Sequence, residues 1–274
     1  MRSRWSRRAA AALAVALLSP AAWADKTALK AEYKEGDRHT VSHEQSMEMN
    51  GTTPMGAMAV KARVRKAFTQ QVVAAEDGKP KRVSRTYAAY EETNDVTMGG
   101  APAQTNTESK PFVGKTITLV EENGKGKVHE PAPETAGMDD EDLRLGSEWD
   151  LVLPAGEVES GESWTLTEAQ VKEFLSEENM SGATVRCTFE GVTDYGGQKA
   201  GRILVEIAAT MKQEAAGQTL TLKVAGPVHW SVDAKRLIAA QLEGTVDATM
   251  AGVTMSGPVK MSTRVEAAPA EGAK

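Results

Sequence analysis

The stretch Ile203-Leu-Val-Glu-Ile-Ala-Ala-Thr-Met211 alternates between inward-type and outward-type side chains with a period of two residues. Successive side chains of a β-strand point to opposite faces of a sheet, so Ile203, Val205 and Ile207 share one face. One apolar and one polar face are typical of antiparallel sheets that cover a core on one side. The stretch therefore predicts a mainly β protein with its core against one face of the sheet.

The same alternation extends over residues 181–265 and forms five long strand-like segments. Short turn-forming pairs separate these segments, namely Gly196-Gly197, Ala216-Gly217, Asp233-Ala234 and Ala251-Gly252. Strands joined by tight turns pair with their neighbours in sequence. This part of the chain is predicted to be an up-and-down meander. Residues 266–274 lack the alternation and are predicted to be a disordered tail.

Residues 25–136 show a similar but less regular pattern and predict an N-terminal meander. The segment from Gly99 to Asn106 is expected to be flexible, because Gly, Ala and Pro dominate its first half. The predicted strands are Arg38–Asn50, Ala57–Glu76, Lys81–Val96, Lys115–Glu121 and Lys125–Glu130.

Residues 137–180 carry the helical signals. The segment Met138–Asp150 opens with Asp139-Asp140-Glu141-Asp142, acidic residues that suit the positive end of a helix. Thr167 is an N-cap residue for a second helix that ends at Leu175. The predicted architecture is a set of antiparallel up-and-down meanders, either one curved half-barrel or two related sheets, with about two helices between the halves.

Two segments 125 positions apart are similar: Glu35-Gly-Asp-Arg-His-Thr-Val41 and Ser160-Gly-Glu-Ser-Trp-Thr-Leu166. In each, a Gly and an acidic residue precede a ring, a Thr and a branched apolar residue. The shared pattern predicts a turn at Gly36 and at Gly161, each followed by a strand that enters the core. Two matched halves of the chain would follow from it.

The first residues predict export. An apolar run over residues 9–18 is followed by Ala22-Trp23-Ala24, a small-x-small cleavage site. This run is shorter than the ~20 residues needed to cross a bilayer. Residues 1–24 are therefore predicted to be a signal peptide cut between Ala24 and Asp25, which places the protein in the periplasm or outside the cell. The basic residues before the run are Arg2, Arg4, Arg7 and Arg8.

Loss of the signal peptide removes four arginines and no acidic residue, which changes the net charge from −6 to −10. This charge favours a soluble protein and argues against nucleic acid or an anionic membrane surface as partner. Cys187 is the single cysteine, so no intrachain disulfide forms. Its place on the face of Val185 and Phe189 predicts a buried thiol rather than a reactive one.

Motifs of catalytic sites are missing from the sequence. It contains no Gly-x-Ser-x-Gly, no Cys-x-x-Cys, no His-Glu-x-x-His and no phosphate-binding glycine loop. Carboxylates are abundant, but no pattern distinguishes one pair as a general acid and base. We therefore expect a protein that is not an enzyme and has no cofactor.

His43, Met47 and Met49 are the candidate metal-ligating residues. Alternate positions of one strand share a face, and imidazole and thioether groups together suit Cu(I). The alternative is that these side chains fill the core, where methionine adapts to irregular space. The surrounding alternation favours core packing.

Two short segments carry a family resemblance. Pro154-Ala-Gly-Glu-Val-Glu-Ser-Gly-Glu-Ser-Trp164 fits the pattern Pro-x-x-x-Val-x-x-Gly-[Asp/Glu]-x-Trp, and Gly226-Pro-Val-His-Trp230 precedes a charged turn. In these segments the chain resembles a family of uncharacterised exported bacterial proteins with a signal peptide, N-terminal strands and a C-terminal meander. Its strand count and order also resemble those of periplasmic lipoprotein-carrier half-barrels. The resemblance implies an envelope protein and assigns no catalytic residue.

The leading expectation is thus an exported protein of the bacterial cell envelope that binds an apolar, lipid-like molecule or an envelope protein. A sheet lined by small residues and methionine can leave space for a ligand, but close packing is the default in protein interiors and favours a filled core. Two alternatives remain open, a structural or interaction module with a filled core and Cu(I) binding through Met and His side chains.

Overall fold

The computed structural model describes residues 26–268 apart from 55, 102, 131–137, 139–141, 177–181, 214–217 and 251–252. The predicted signal peptide, including the bond between Ala24 and Asp25, lies outside the described residues. So do residues 269–274 of the predicted tail.

Fourteen strands are present in the described part of the chain. The first seven are β1 (Thr27–Ala28), β2 (Arg38–Thr53), β3 (Gly56–Glu76), β4 (Lys79–Met98), β5 (Gln104–Ser109), β6 (Thr116–Glu122) and β7 (Lys125–Glu130). The second seven are β8 (Glu157–Val158), β9 (Ser163–Thr165), β10 (Thr184–Tyr195), β11 (Gln198–Gln213), β12 (Gln218–Ser231), β13 (Arg236–Met250) and β14 (Val253–Ala267).

Twelve strands form one antiparallel sheet in the order β7-β6-β4-β3-β2-β14-β13-β12-β11-β10-β9, with β5 beside β4. The strands β1 and β8 pair separately. The mainly β, antiparallel, up-and-down architecture is confirmed. The two predicted meanders are parts of a single sheet, because β2 pairs with β14 from His39↔Ala267 to Gly51↔Met255. In the described part of the chain this sheet does not close on itself, and β7 and β9 are its two ends.

The connection between the meanders contains a 3-10 helix, Glu148–Val152, and the helix α1, Glu168–Leu175. α1 confirms the predicted helix, and Thr167 caps it by accepting a hydrogen bond from the Gln170 backbone amide. The prediction of a helix throughout Met138–Asp150 is wrong, because its described residues 142–147 form turns and bends. Residues 139–141 lie outside the described part.

Two further predictions need correction. The segment from Gly99 to Asn106 was expected to be flexible, but its last residues begin β5, which pairs with the exposed end of β4. Residues 266 and 267 were assigned to the tail, yet they continue β14 opposite β2. In both cases backbone pairing with a long neighbouring strand orders a segment whose own composition is polar.

The two similar segments form the same local structure. The Asp37 and Glu162 carboxylates accept hydrogen bonds from the amides of Lys34 and Glu159, respectively. Each turn contains a glycine with positive φ, +88° at Gly36 and +89° at Gly161. Each glycine amide also donates to a neighbouring strand, at the carbonyls of Val72 and Phe189. The two predicted turns are therefore confirmed, and they have the same local structure.

The strand residues of two apolar clusters lie on one face of the twelve-stranded sheet, called the inner face below, and parts of the connection over residues 142–176 pack on it. One apolar cluster covers β10–β14 and includes Trp149 and Phe174 of the connection. The second covers β3, β4 and β6 and is built on four rings. Those rings belong to Phe68, Tyr87, Tyr90 and Phe112.

Glycines at inner-face positions let the strands approach closely. A Cβ atom on Gly244 would lie 1.9 Å from the Lys223 carbonyl oxygen, and one on Gly257 would lie 1.7 Å from that of Glu48. No side chain fits at such distances. Glycines of this kind mark sharp bends in a sheet, and curved sheets depend on them.

We expect Gly244→Ala to lower the free energy of unfolding by about 1–3 kcal/mol or more, because the added methyl group forces two strands apart. Gly156→Ala is the matched control, since no atom lies within 4 Å of its added Cβ. Urea unfolding of both variants measures the effect. Equal stability of the two variants would show that close strand approach at Gly244 is not a constraint.

Candidate functional site

A polar layer lies on the inner face between the two apolar clusters. Cross-strand pairing puts His39, Gln70 and Arg85 in one row of the sheet. Thr263, His43 and Lys66 form a second row. Because paired residues of an antiparallel ladder share a face, all six side chains point toward the connection.

Arg85 holds the connection against the sheet. Its Nε donates to Gln70 Oε1 at 2.6 Å, and its Nη1 donates to the Asp142 carbonyl at 2.6 Å. Nη2 donates to the Arg144 carbonyl, and Gln70 Nε2 donates to the Leu145 carbonyl at 3.1 Å. The guanidinium also lies 5.0 Å from the centre of the Phe68 ring. Arg85 is 4 % exposed, so these bonds replace water that it has lost.

Lys66 and Asp142 form a buried ion pair. Lys66 Nζ donates to Asp142 Oδ1 at 2.6 Å, and the two side chains are 9 % and 1 % exposed. The ammonium group also lies 4.7 Å from the centre of the Tyr90 ring. Asp142 was predicted to start a solvated helix. It instead brings the connection to the sheet, because burial of either charge alone would cost far more than burial of the pair.

Beside this layer is a cavity of about 90 Å³, room for roughly three water molecules. The sheet supplies one apolar wall through Val41, Phe68, Leu237 and Val265. The polar wall includes His39, His43, Arg236, Asp37 and Glu148. The cavity therefore combines a small apolar surface with charged and hydrogen-bonding groups.

His39 faces this cavity and is 8 % exposed. Burial lowers the pKa of its imidazole to about 4, and the nearby charges of Arg236 and then Arg85 act in the same direction. Asp37 acts in the opposite direction and more weakly. The ring is therefore neutral at physiological pH.

His43 occupies another part of the wall. Its Nδ1 lies 3.0 Å from Thr263 Oγ1, and the same oxygen accepts a hydrogen bond from Trp149 Nε1 at 3.3 Å. If Thr263 donates its proton to Nδ1, His43 carries its own proton on Nε2. His43 therefore belongs to a network that positions the 3-10 helix on the sheet.

Asp150 lies at the edge of the site. Tyr33 OH donates to its Oδ2 at 2.7 Å, and the Ser147 amide donates to the same oxygen at 3.2 Å. Its Oδ1 is buried and, within the described residues, has no hydrogen-bond partner. Burial raises the pKa of this carboxyl group to about 7, against the lowering effect of those two bonds.

Farther along the same strands, two rows of the inner face carry only apolar side chains. Two cross-strand rows, called the methionine rows below, lie here, and eight of their twelve side chains are partly exposed. The rows therefore offer apolar surface that the described chain leaves partly uncovered. They are Ala209, Leu222, Val246, Met49, Val60 and Val96, and Met211, Leu220, Ala248, Met255, Met58 and Met98.

The three predicted metal-ligating residues all lie on the inner face of β2. Met47 and Met49 pack with the larger apolar cluster, and Met49 is 7 % exposed. Within the described residues, no group of three His, Cys, Asp or Glu side chains could hold a metal ion. Cu(I) binding through His43, Met47 and Met49 stays a prediction.

The single thiol is buried, as predicted. Cys187 is 0 % exposed, and burial raises its pKa to about 12, so it is not a nucleophile at neutral pH. Among the helices of the described residues, none has the length and apolar character needed to cross a membrane.

Comparison with known proteins gives little. No family model and no curated protein sequence matches the chain. The structure of DynF from the dynemicin biosynthesis pathway of Micromonospora chersina aligns with a TM-score of 0.24 and 7 % identity, over 89 % of this chain and 86 % of that one. A likeness at this level carries no argument about function.

The polar layer was not predicted, although the sequence contains a signal for it. Lys66 lies between Val64 and Phe68 at an inward position of β3. Arg85 lies between Val83 and Tyr87 at an inward position of β4. A charged residue at an inward position of a strand requires a buried partner, and that requirement identifies both.

We expect Lys66→Met to lower the free energy of unfolding by about 3–5 kcal/mol, because it leaves Asp142 buried without its cation. The double variant Lys66→Met with Asp142→Leu should lose much less than the sum of the two single changes. Lys61→Met, at an exposed position of β3, is the matched control. Additive losses measured by chemical unfolding would contradict the coupling.

Asp150 should make stability depend on pH. Its folded pKa of about 7 exceeds the ordinary value of 3.8, so the folded chain holds the extra proton between these limits. The free energy of unfolding therefore falls as pH rises from about 4 through about 7. Asp150→Asn keeps a neutral acceptor, so its free energy of unfolding does not fall in this way. Relative to the wild type, that free energy should increase by roughly 2–4 kcal/mol as pH rises across this range.

Chemical unfolding at several pH values measures this gain. Asp247→Asn, at an exposed position of β13, should track the wild type. A constant difference between Asp150→Asn and the wild type would contradict a buried neutral carboxyl group.

Proposed function

We propose that the protein is an exported, non-enzymatic protein of the bacterial cell envelope that binds an apolar, lipid-like molecule on its inner face. The observation that carries the proposal is the pair of methionine rows. They place partly exposed apolar side chains on β11, β12 and β13 and again on β3 and β4. The buried Met255 and Met49, with Gly257 and Gly51, link these two groups across β14 and β2.

Methionine suits this task because its unbranched side chain adapts to varied apolar shapes. Contiguous, partly exposed apolar surface on a folded protein marks a site for a ligand or for another protein. The close strand approaches at Gly244 and Gly257 lie beside these rows, since Gly244 pairs with Val259 and Gly257 with Val246.

The proposed localisation rests on the predicted signal peptide at residues 1–24 and on the resemblance to exported bacterial proteins. A protein in the periplasm or outside the cell meets lipids without crossing a membrane. An envelope protein with an apolar surface segment is the alternative occupant of the same rows, and the experiment below distinguishes the two.

The test is to titrate the purified protein with ANS, a fluorescent anion with apolar rings, and with dodecanol, a single-chain lipid analogue without charge. We expect saturable binding of both. Met58→Glu should weaken each at least tenfold, because it puts a charge among the methionine rows. Native mass spectrometry of the protein as isolated should show bound lipid that organic solvent extracts.

Ala57→Glu is the matched control, because Ala57 is exposed on the opposite face of β3. This variant should bind as the wild type does. Equal binding by both variants, or lipid-free protein that ignores both probes, would contradict a lipid-like ligand. If the methionine rows bind only another protein, the isolated protein will be lipid-free, will bind neither probe and will form a stable complex with that partner.

A further inference from the structure

The cavity beside the polar layer contains two unengaged polar groups. Within the described residues, no hydrogen bond or ion pair involves the side chains of His39 and Arg236, whereas Lys66 pairs with Asp142, and Arg85 donates to Gln70 and to two backbone carbonyls. His39 is more than nine-tenths buried. Buried polar groups almost always have a partner, in the protein, in water or in a ligand, so His39 calls for one inside the cavity. Arg236 is half-buried and lines the same cavity.

The cations near His39, Arg236 and Arg85, favour an anion as its partner. Arg236 and Arg85 both make it harder to protonate His39, and their influence exceeds that of Asp37. Of the other charged groups in the wall, Asp142 is neutralised by Lys66, and Glu32 by Lys34 and Lys235. Glu148 and Asp37 remain as acidic groups, and they disfavour a second negative charge in the same space.

We propose that this cavity binds a carboxylate, with Arg236 pairing with its oxygens and the neutral His39 ring donating one further hydrogen bond. A guanidinium fork matches the planar carboxylate in shape and charge. The apolar wall formed by Val41, Phe68, Leu237 and Val265 receives the carbon atoms next to the carboxylate. This site does not depend on the methionine rows.

The size of the cavity limits the ligand. Its volume of about 90 Å³ accommodates a carboxylate and a short alkyl group, but not a bulky ring system. The shared chemistry is that of a free short-chain carboxylate and of the head of a fatty acid whose chain leaves the cavity. A phosphate dianion is disfavoured by Asp37 and Glu148.

The experiment is calorimetric titration of the whole purified protein at neutral pH with butyrate, dodecanoate and inorganic phosphate. We expect butyrate to bind, and Arg236→Gln to weaken its binding at least tenfold. His39→Phe should weaken it several-fold, because the ring remains and the donor is lost. If dodecanoate binds more tightly with the same dependence on Arg236, the natural carboxylate is the head of a longer chain, and equal affinity identifies a short free acid.

Arg264→Gln is the matched control, because this arginine on β14 is 73 % exposed. It should bind butyrate as the wild type does, and so should Met58→Glu, which changes only the methionine rows. Circular dichroism and thermal unfolding establish that each variant is folded.

Three results would overturn the proposal. The first is a folded wild-type protein that does not bind butyrate. The second is unchanged butyrate binding in folded Arg236→Gln and folded His39→Phe. The third is phosphate that binds more tightly than butyrate through Arg236. None of these results bears on binding of the uncharged dodecanol by the methionine rows, so the two proposals fail separately.

Discussion

Pairing between β2 and β14 is the interaction on which the rest of the structure depends. It joins residues 39–51 to residues 255–267, near opposite ends of the described chain. Through it, two meanders built from neighbouring strands become one sheet. It also places Thr263 beside His43 and brings the start of β13, with Arg236, to the same cavity as His39. Without this ladder neither the cavity nor the methionine rows would exist as continuous surfaces.

The ladder also explains where the buried charges lie. Each meander has its own apolar cluster, and the polar layer lies between the two where the connection crosses the sheet. Lys66, Gln70 and Arg85 bind the backbone and the Asp142 carboxylate of that connection. Such a network contributes little net stability compared with an apolar core, but it accepts only one placement of the connection. We regard positional specificity as its role.

Much of the fold follows from the sequence, because side-chain alternation reports directly on strand faces. The predicted strand Ala57–Glu76 is observed as Gly56–Glu76, and the predicted helix that ends at Leu175 does so. The pairing of β2 with β14 could not be predicted, since both strands are one-sided and either could lie at a sheet edge. The acidic run at residues 139–142 led to the wrong prediction of a helix, again because a contact with a distant segment decides the structure. It suits a helix start, but Asp142 has a tertiary partner that outweighs this local preference.

The candidate site was predicted only in part. His43, Met47 and Met49 were recognised as one face of a strand, which they are, but their partners come from distant segments. Arg236 follows a turn and looks like a solvated residue in the sequence. Only the pairing of distant strands shows that it shares a cavity with His39.

Native-state hydrogen exchange of the β2 and β14 amides tests the central claim most directly. If the ladder unites the two meanders, these amides open only with the whole sheet. Their protection then equals that of β12 and β13, and denaturant lowers all of them in parallel. Exchange of the β2 and β14 amides at a much lower free energy, while each meander stays protected, would show two separately stable halves and contradict the account.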